Sequence, residues 1–483
     1  MFKTPKELQH EILNGNVVKA AFLLGWPMMV TSLMQSGYNL ADMFWVGHLP
    51  EGESMVAIAA MNVAWPLIFI FMSLAMGFGS AGTSLVSQYT GAGNKRMVDR
   101  VSGQMVFFSL AVSITMAVVG IAFVDDIIRF IGVAPNVTEM AIAYTEIIFI
   151  SLPFMFMSIV FTMILRGWGN TVTPMWMNGA TLILNIVLDP IMIFGWGGFP
   201  KMGIVGAAIA TLISRMIYAG LALYWLHAGK AEIKVGREEV RPDTGLIKKI
   251  LRIGAPMSLA MTFTAIGFFI MMLIIAGLPG QTYPPNGGEP VPNSTIAMAA
   301  YGIGNRMINL TFIIVDGLAF SLTTIVGQNI GAEKMERARE SYWKIAGISF
   351  VILWGFSAVF LLFAEQILSF FTSDPLVIES GVVFMSIIAL GMPFFSIFRS
   401  SIGYFNGTGR TEFNLVMSLV RLWIMRLPMC YFFSMMLGAA GIWYGMAISN
   451  MTSAAVGLLM VFFVKIDSSM IEKRKRRMGP MKM

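Results

Sequence analysis

The 483-residue chain has one cysteine, three histidines and little charge. Cys430 can form no disulfide within the chain, which excludes a disulfide-stabilised scaffold. His10, His48 and His227 are far apart and have no zinc-ligand spacing. Charged residues make up 12%, against roughly 25% in ordinary soluble domains. Hydrophobic residues make up 57% and the mean hydropathy is +0.74. In water such a chain would expose large apolar patches, so a soluble enzyme and a disordered chain are both excluded. Period-2 alternation is missing, which argues against a membrane β-barrel. The N-terminus, MFKTPKELQHEILNGN, places Glu7 and Glu11 before any apolar run, so no cleavable signal peptide is expected. The apolar runs contain no H-E-x-x-H, Walker A or Ser–His pattern, so the chain is not expected to be an enzyme.

Long apolar runs are what the chain has. Twelve fall at 17–46, 55–90, 101–124, 136–165, 172–195, 203–227, 248–278, 295–330, 342–364, 376–404, 412–437 and 441–464. Most exceed the roughly 20 residues that cross a bilayer as a helix. The expected fold is an all-α polytopic membrane protein of twelve transmembrane helices in two six-helix bundles. The expected order is an N-terminal segment (1–16), an N-lobe (17–227), a linker (228–247), a C-lobe (248–464) and a basic tail (465–483). The linker reads as a charged surface stretch with a short helix, and the Pro/Gly-rich 279–293 as an irregular outside loop.

The net charge of +7 is explained by topology. With both termini in the cytoplasm, 26 of the 33 Lys and Arg lie inside, and only Arg129 and Lys201 lie outside. This obeys the positive-inside rule and predicts a multi-pass plasma-membrane protein. A nucleic-acid partner is therefore not expected, and the tail EKRKRRMGPMKM reads as a topology anchor.

The two halves repeat. SQYTGAGNKR from Ser87 returns as GQNIGAEKMER from Gly327, with Gly91 and Gly331 240 residues apart. The same offset relates Ala57 to Ala297, Pro153 to Pro393, and GWGNT at Gly167 to GTGRT at Gly407. Pro27 and Pro256 match at 229, the difference arising from the longer 279–293 loop. Six spans per half is even, so both halves enter the membrane in the same direction, around a pseudo-twofold axis along its normal. That is an arrangement of transporters.

These features together resemble the multidrug and toxic compound extrusion (MATE) family over about residues 12–465. The resemblance rests on WPMMV in the first span, QSGYNLADMFWVG from Gln35, both Q-x-x-GA turns, both G-x-G-x-T turns, and LNIVLDP from Leu184. It implies export of amphipathic, often cationic compounds, coupled to sodium or proton entry, by a protein expected to be a monomer. No cofactor is implied beyond the coupling ion. Asp42 and Asp189 are similar to the DinF-like branch. The seventh and tenth spans lack the acids of the NorM-like branch. A flippase for lipids or lipid-linked precursors, within the same superfamily, is the alternative; an intramembrane enzyme is the alternative of another class.

Acids inside a membrane are expensive and mark functional sites by default. Gln35, Tyr38 or Asn39, and Asp42 share one helix face. Asn178, Asn185 and Asp189 form a second polar stripe. The expected coupling set is Asp42, Asn185 and Asp189, to which the resemblance adds Thr211, holding either sodium through the Asp42, Asn185 and Asp189 oxygens or a proton. The plainer readings are a kink ordered by Asp189 at Pro190 and a back-bonded Thr211. The expected substrate cavity uses Gln35, Tyr38, Asn39, Tyr144 and Asn178. Pro27 removes a donor and predicts a kink in the first span, and the resemblance implies that it serves there as a hinge. In the C-lobe, Asp316 is expected to pair with an arginine among Arg306, Arg399, Arg421 and Arg426; the charge network is assigned to Arg306, Asp316 and Arg399. The 42 methionines suit a broad-specificity cavity.

Overall fold

The computed structural model describes residues 5–50, 52–283 and 289–464, the side chains of Pro5 and Asn39 excepted. The basic tail at 465–483 thus lies outside the described residues. The helices are α1 (Pro5–Asn14), α2 (Val17–Gly47), α3 (Glu53–Gly91), α4 (Lys95–Ile131), α5 (Pro135–Ile150), α6 (Leu152–Trp168), α7 (Val172–Phe194), α8 (Gly203–His227), α9 (Arg237–Val240) and α10 (Thr244–Ala276). They continue with α11 (Asn293–Gly331), α12 (Met335–Ser369), α13 (Pro375–Thr408), α14 (Glu412–Leu419), a π-helical stretch (Val420–Arg426), α15 (Leu427–Leu437) and α16 (Ala439–Phe463). Among the described residues, eleven helical stretches are long and apolar enough to cross a membrane, and the bent pair α5–α6 makes a twelfth.

Local chemistry sets the helix ends. Pro135 and Pro375, 240 residues apart, occupy the first turns of α5 and α13, where a missing N–H costs nothing. The Asp374 carboxylate caps the Leu376 and Val377 N–H groups, a contribution of about 1 kcal/mol. Gly132, Gly169 and Gly409 end α4, α6 and α13 in the left-handed region, where a Cβ is disfavoured.

The chain forms two compact units with six spans each. One comprises Trp26–Ser258 with the first residues up to Gln9; the other comprises His10–Gly25 with the residues from Leu259 onward. Compact packing therefore divides the chain at different points from the repeat. Residues 17–25 of α2 belong to the second unit, and 244–258 of α10 belong to the first. Both exchanges fall beside the repeat-related Pro27 and Pro256. α2 is one continuous helix with Pro27 inside it. The first core is built around Ile128, Phe149, Leu152 and Phe156. The second surrounds Leu353, Phe384, Met385 and Trp443.

The repeat extends to individual contacts. The Thr83 hydroxyl donates to the Met163 carbonyl at 2.9 Å, and Thr323 donates to the Gly403 carbonyl at 3.0 Å. A Cβ on Gly167 would lie 2.8 Å from the Thr83 carbonyl oxygen, and one on Gly407 would lie 2.7 Å from that of Thr323. These glycines permit the helices to approach backbone to backbone. After α3, the Asn94 N–H reaches the Tyr89 carbonyl at 2.9 Å; after α11, Lys334 reaches Asn329 at 2.8 Å. Both turns need a left-handed residue, filled by Gly93 (φ 66°) in one and Glu333 (φ 61°) in the other.

Two expectations need correction. The single span at 136–165 is a pair of helices bent by 47°. The break is at Ser151, whose hydroxyl donates to the Ile148 carbonyl. Its counterpart α13 runs unbroken through Pro393. There the position equivalent to Ser151 is Gly391, where an added Cβ would stand 2.8 Å from the Ala447 Cα, so close packing on α16 accompanies the straight helix. The loop at 279–293 is not wholly irregular. Gln281–Thr282 and Val291–Pro292 form an antiparallel pair of strands, in register Gln281 to Pro292 and Thr282 to Val291.

Candidate functional site

The site is built on three helices of the first unit. α7 places Asn185 and Asp189 one turn apart, and the Asn185 side-chain amide donates to the Asp189 carboxylate at 3.3 Å. α2 brings Asp42 up to this pair: Asp189, Asn185 and Arg215 are its electrostatic neighbours. Asp42 is 7% exposed, and Asn185 and Asp189 are at 0%. Among the described groups, Asp42 Oδ1, Asn185 Oδ1 and Asp189 Oδ2 have no hydrogen-bond partner, and neither does the Tyr38 hydroxyl. Buried polar atoms normally have partners. Three acceptor oxygens without a partner, on side chains that neighbour one another, form a set of hard donors that suits a proton or a small hard cation.

The kink-ordering role for Asp189 finds no support in the local bonding. α7 continues through Pro190 to Phe194, and the described bond of the Asp189 side chain is to Asn185. Just beyond, Gly206 lets α8 press onto α7; a Cβ there would lie 2.4 Å from the Met192 carbonyl oxygen.

A cavity of about 280 Å³ opens beside the acid pair. Gln35, Tyr38, Asp42, Tyr144, Asn178 and Thr211 line it. Asn185 and Asp189 are not in the lining; they stand behind it, next to Asp42. Thr211 lines the wall together with Asp42, as the sequence reading expects of it. The Asn39 side chain lies outside the described residues. Asn178 donates to the Pro174 carbonyl at 2.8 Å and to the Tyr218 hydroxyl at 3.3 Å, and Tyr218 meets the Thr162 hydroxyl at 3.0 Å. Met34, Met72 and Met155 supply part of the apolar wall, in keeping with an adaptable surface.

Arg215 is the residue that sequence reasoning missed. It lines the cavity with Asp42, and its guanidinium donates to the Ser151 hydroxyl at 2.7 Å. It therefore fastens α8 to the break between α5 and α6. The signal was present: Thr211, Arg215 and Tyr218 follow at i, i+4 and i+7 on one face, the periodicity that singled out Gln35 and Asp42.

The second unit pairs its deep acid and, among the described residues, leaves the Arg421 Nε without an acceptor. Asp316 and Arg399 form an ion pair at 2.5 Å. Arg306 is exposed and lies outside this pair; ten residues along α11, at 1.5 Å rise each, it is too far from Asp316 to share it. Arg421 stacks against Phe395 and Phe398, 5.3 and 4.6 Å from their centroids. Arg426 donates to Ser449 at 2.8 Å and to Asn450 at 2.6 Å. Both arginines lie in the π-helical stretch.

Two repeated six-span units, one with a polar cavity against a buried acid pair, define a polytopic membrane transporter. The comparisons agree and are more specific. The MatE family matches residues 27–191 and 291–432, and the chain belongs to that family. It is 29% identical to a probable multidrug resistance protein NorM of Thermotoga maritima, over 98% of this chain and 97% of that one. It is 26% identical to a probable multidrug resistance protein, YoeA, of Bacillus subtilis, over 90% of each. An outward-facing conformation of a multidrug resistance MATE family transporter of the MOP superfamily superposes with a TM-score of 0.84 at 27% identity, covering 98% of this chain and 100% of the other. The chain is accordingly a transporter and not an enzyme.

Proposed function

We propose that the protein is a cation-coupled multidrug efflux antiporter of the plasma membrane, of the DinF-like type, working as a monomer by alternating access. The carrying observation is the meeting of Asp42, Asn185 and Asp189 with three acceptor oxygens that lack donors. Entering sodium or a proton would be held there, with Asp42 linking the acid pair to the cavity wall. Binding neutralises charge beside the cavity and weakens the hold on an amphipathic, cationic substrate, which leaves to the outside. The cation is then released to the cytoplasm, and a new substrate enters the inward-open form. Coupling of this kind requires each ligand to bind the two states unequally. Pro27 serves as the hinge of the first span, at the point where α2 passes from one compact unit to the other. The distribution of Lys and Arg supports cytoplasmic termini.

The test is dye efflux from proteoliposomes under separately imposed sodium and pH gradients. One gradient alone is expected to drive wild-type efflux. Asp42→Asn should remove that response while leaving folded protein in the bilayer. Full gradient-driven efflux in Asp42→Asn would overturn the assignment. Transport of a lipid-linked substrate that is indifferent to Asp42 would favour the flippase reading.

A further inference from the structure

The first unit has a second cleft, separate from Asp42, of about 670 Å³. It lies between α4, the last turn of α8 and the linker. Its wall is apolar, with Phe107, Leu223 and Leu226, and Arg237 and Arg241 stand at its rim. Leu223 is 42% exposed and Tyr224 beside it 51%, so this face is apolar outward as well. The Lys230 ammonium sits over the Tyr224 and Trp225 rings, at 4.7 and 5.2 Å. Aromatic rings with a lysine at the end of a span are a mark of the membrane–water boundary.

The cleft is held in shape. Gln104, fully buried on α4, donates to the carbonyls of Glu239 (2.8 Å) and Arg241 (2.7 Å) and accepts from the Asp243 N–H (2.8 Å). Gly103 allows this approach, since a Cβ there would lie 2.3 Å from the Glu239 carbonyl oxygen. One polar side chain thus fixes the backbone that carries both rim arginines.

The nearby acids are engaged elsewhere. Asp243 pairs with Arg100 at 3.1 Å, Glu239 accepts from the Gly236 N–H at 2.9 Å, and Asp99 holds Lys95 and the Lys234 N–H. Among the described residues no ion pair involves Arg237 or Arg241, and both are exposed. Glu238 and Glu239 sit on α9 between them in sequence, but neither lines the cleft, so the charged side chains of the lining are Arg237 and Arg241.

We propose that this cleft binds one anionic phospholipid, with its headgroup phosphate between Arg237 and Arg241 and an acyl chain along Phe107, Leu223 and Leu226. Basic pockets at the ends of spans recognise such headgroups, each Lys or Arg contributing about 1 kcal/mol. The apolar wall distinguishes a lipid from a free anion, and the rim charge distinguishes an anionic lipid from a zwitterionic one. The inference does not rest on the transport reading, and its test measures no transport.

The test uses the full-length protein in detergent, titrated with phosphatidylglycerol, phosphatidylcholine or inorganic phosphate, and followed by thermal midpoint and native mass spectrometry. One retained phosphatidylglycerol and a raised midpoint are expected, with neither from the other two probes. The double variant R237Q/R241Q should bind phosphatidylglycerol at least about tenfold more weakly. K234Q, which removes one charge outside the lining, should bind as wild type does and controls for a general loss of positive charge, and an unchanged lipid-free thermal midpoint of the double variant checks that it folds. Equal binding of phosphatidylcholine, an equal shift from phosphate, unchanged binding in the double variant, or an equal loss in K234Q would each overturn the proposal.

Discussion

In the first unit, three buried acceptor oxygens on Asp42, Asn185 and Asp189 lack donors; in the second, the deep acid Asp316 holds Arg399 at 2.5 Å. The repeat makes the contrast sharper. At the offset of 229, Asp42 corresponds to Met271. The offset is not constant in the fifth span, where α7 has 23 residues and its counterpart Glu412–Leu437 has 26. The scaffold therefore accepts methionine in place of Asp42. That helix does not need the acid, and an unpaired buried carboxylate opposes folding. Polarity at this position is a requirement separate from the fold. In the second unit, by contrast, the acid Asp316 has an arginine, Arg426 has two side-chain oxygens, and Arg421 lies against two aromatic faces although its Nε finds no acceptor among the described residues.

The strongest test of this comparison is to give the first unit the residue of the second. Asp42→Met should lower gradient-driven efflux by about 100-fold or more, while the thermal midpoint stays level or rises, because apolar replacement of a buried charge is commonly neutral or stabilising. A variant that still transports would end the distinction between the units. Next, Arg399→Met strands Asp316. Removing one member of a fully buried pair costs about 3–5 kcal/mol. These side chains keep 19% and 32% exposure, so about 2 kcal/mol is expected in denaturant unfolding. Adding Asp316→Leu should recover most of it with efflux retained; lost efflux in that double variant would give the second unit a coupling acid of its own.

A smaller effect is expected from Arg215→Met. Removing the cation beside Asp42 should strengthen apparent binding of a cationic dye, by about tenfold at most, and should loosen the α5–α6 break that Arg215 fastens. Fluorescence titration reads the first effect and hydrogen exchange the second; weaker dye binding would contradict this account of the cavity's charge. The smallest pair concerns the matching turns. Gly93→Ala should destabilise by about 1 kcal/mol, and Glu333→Gly should stabilise by no more than that, since a side chain is disfavoured at positive φ. Thermal midpoints moving in the same direction would show that the two turns are not equivalent.

The sequence made much of this legible because its signals are local or periodic. Hydropathy located every span, since lipid leaves the backbone few alternatives to a helix. The constant offset revealed the repeat, and the structure repeats its contacts at Thr83 and Thr323. Asp42 and Asp189 stood out because charge in an apolar run is rare. Arg215 escaped notice although it lies in an apolar run too, because its meaning depends on Ser151, 64 residues away in the chain. Arg306 is one of the arginines within the C-lobe spans that could partner Asp316, but its own helix carries it out of reach. The bend at Ser151 was hidden because Pro153 has the same partner, Pro393, in a straight helix.

The sequence by itself determined that this is a membrane protein of two repeated halves, and which few ionisable groups it keeps within them. Solvation decides those points, and solvation is read residue by residue. Which of those groups meet was decided only by tertiary structure. Asp42 lies 147 residues before Asp189, and only the packing of α2 against α7 leaves their oxygens without donors, while that of α11 against α13 gives Asp316 its arginine. Satisfaction of a buried charge is a property of neighbours, and neighbours are set by helix packing.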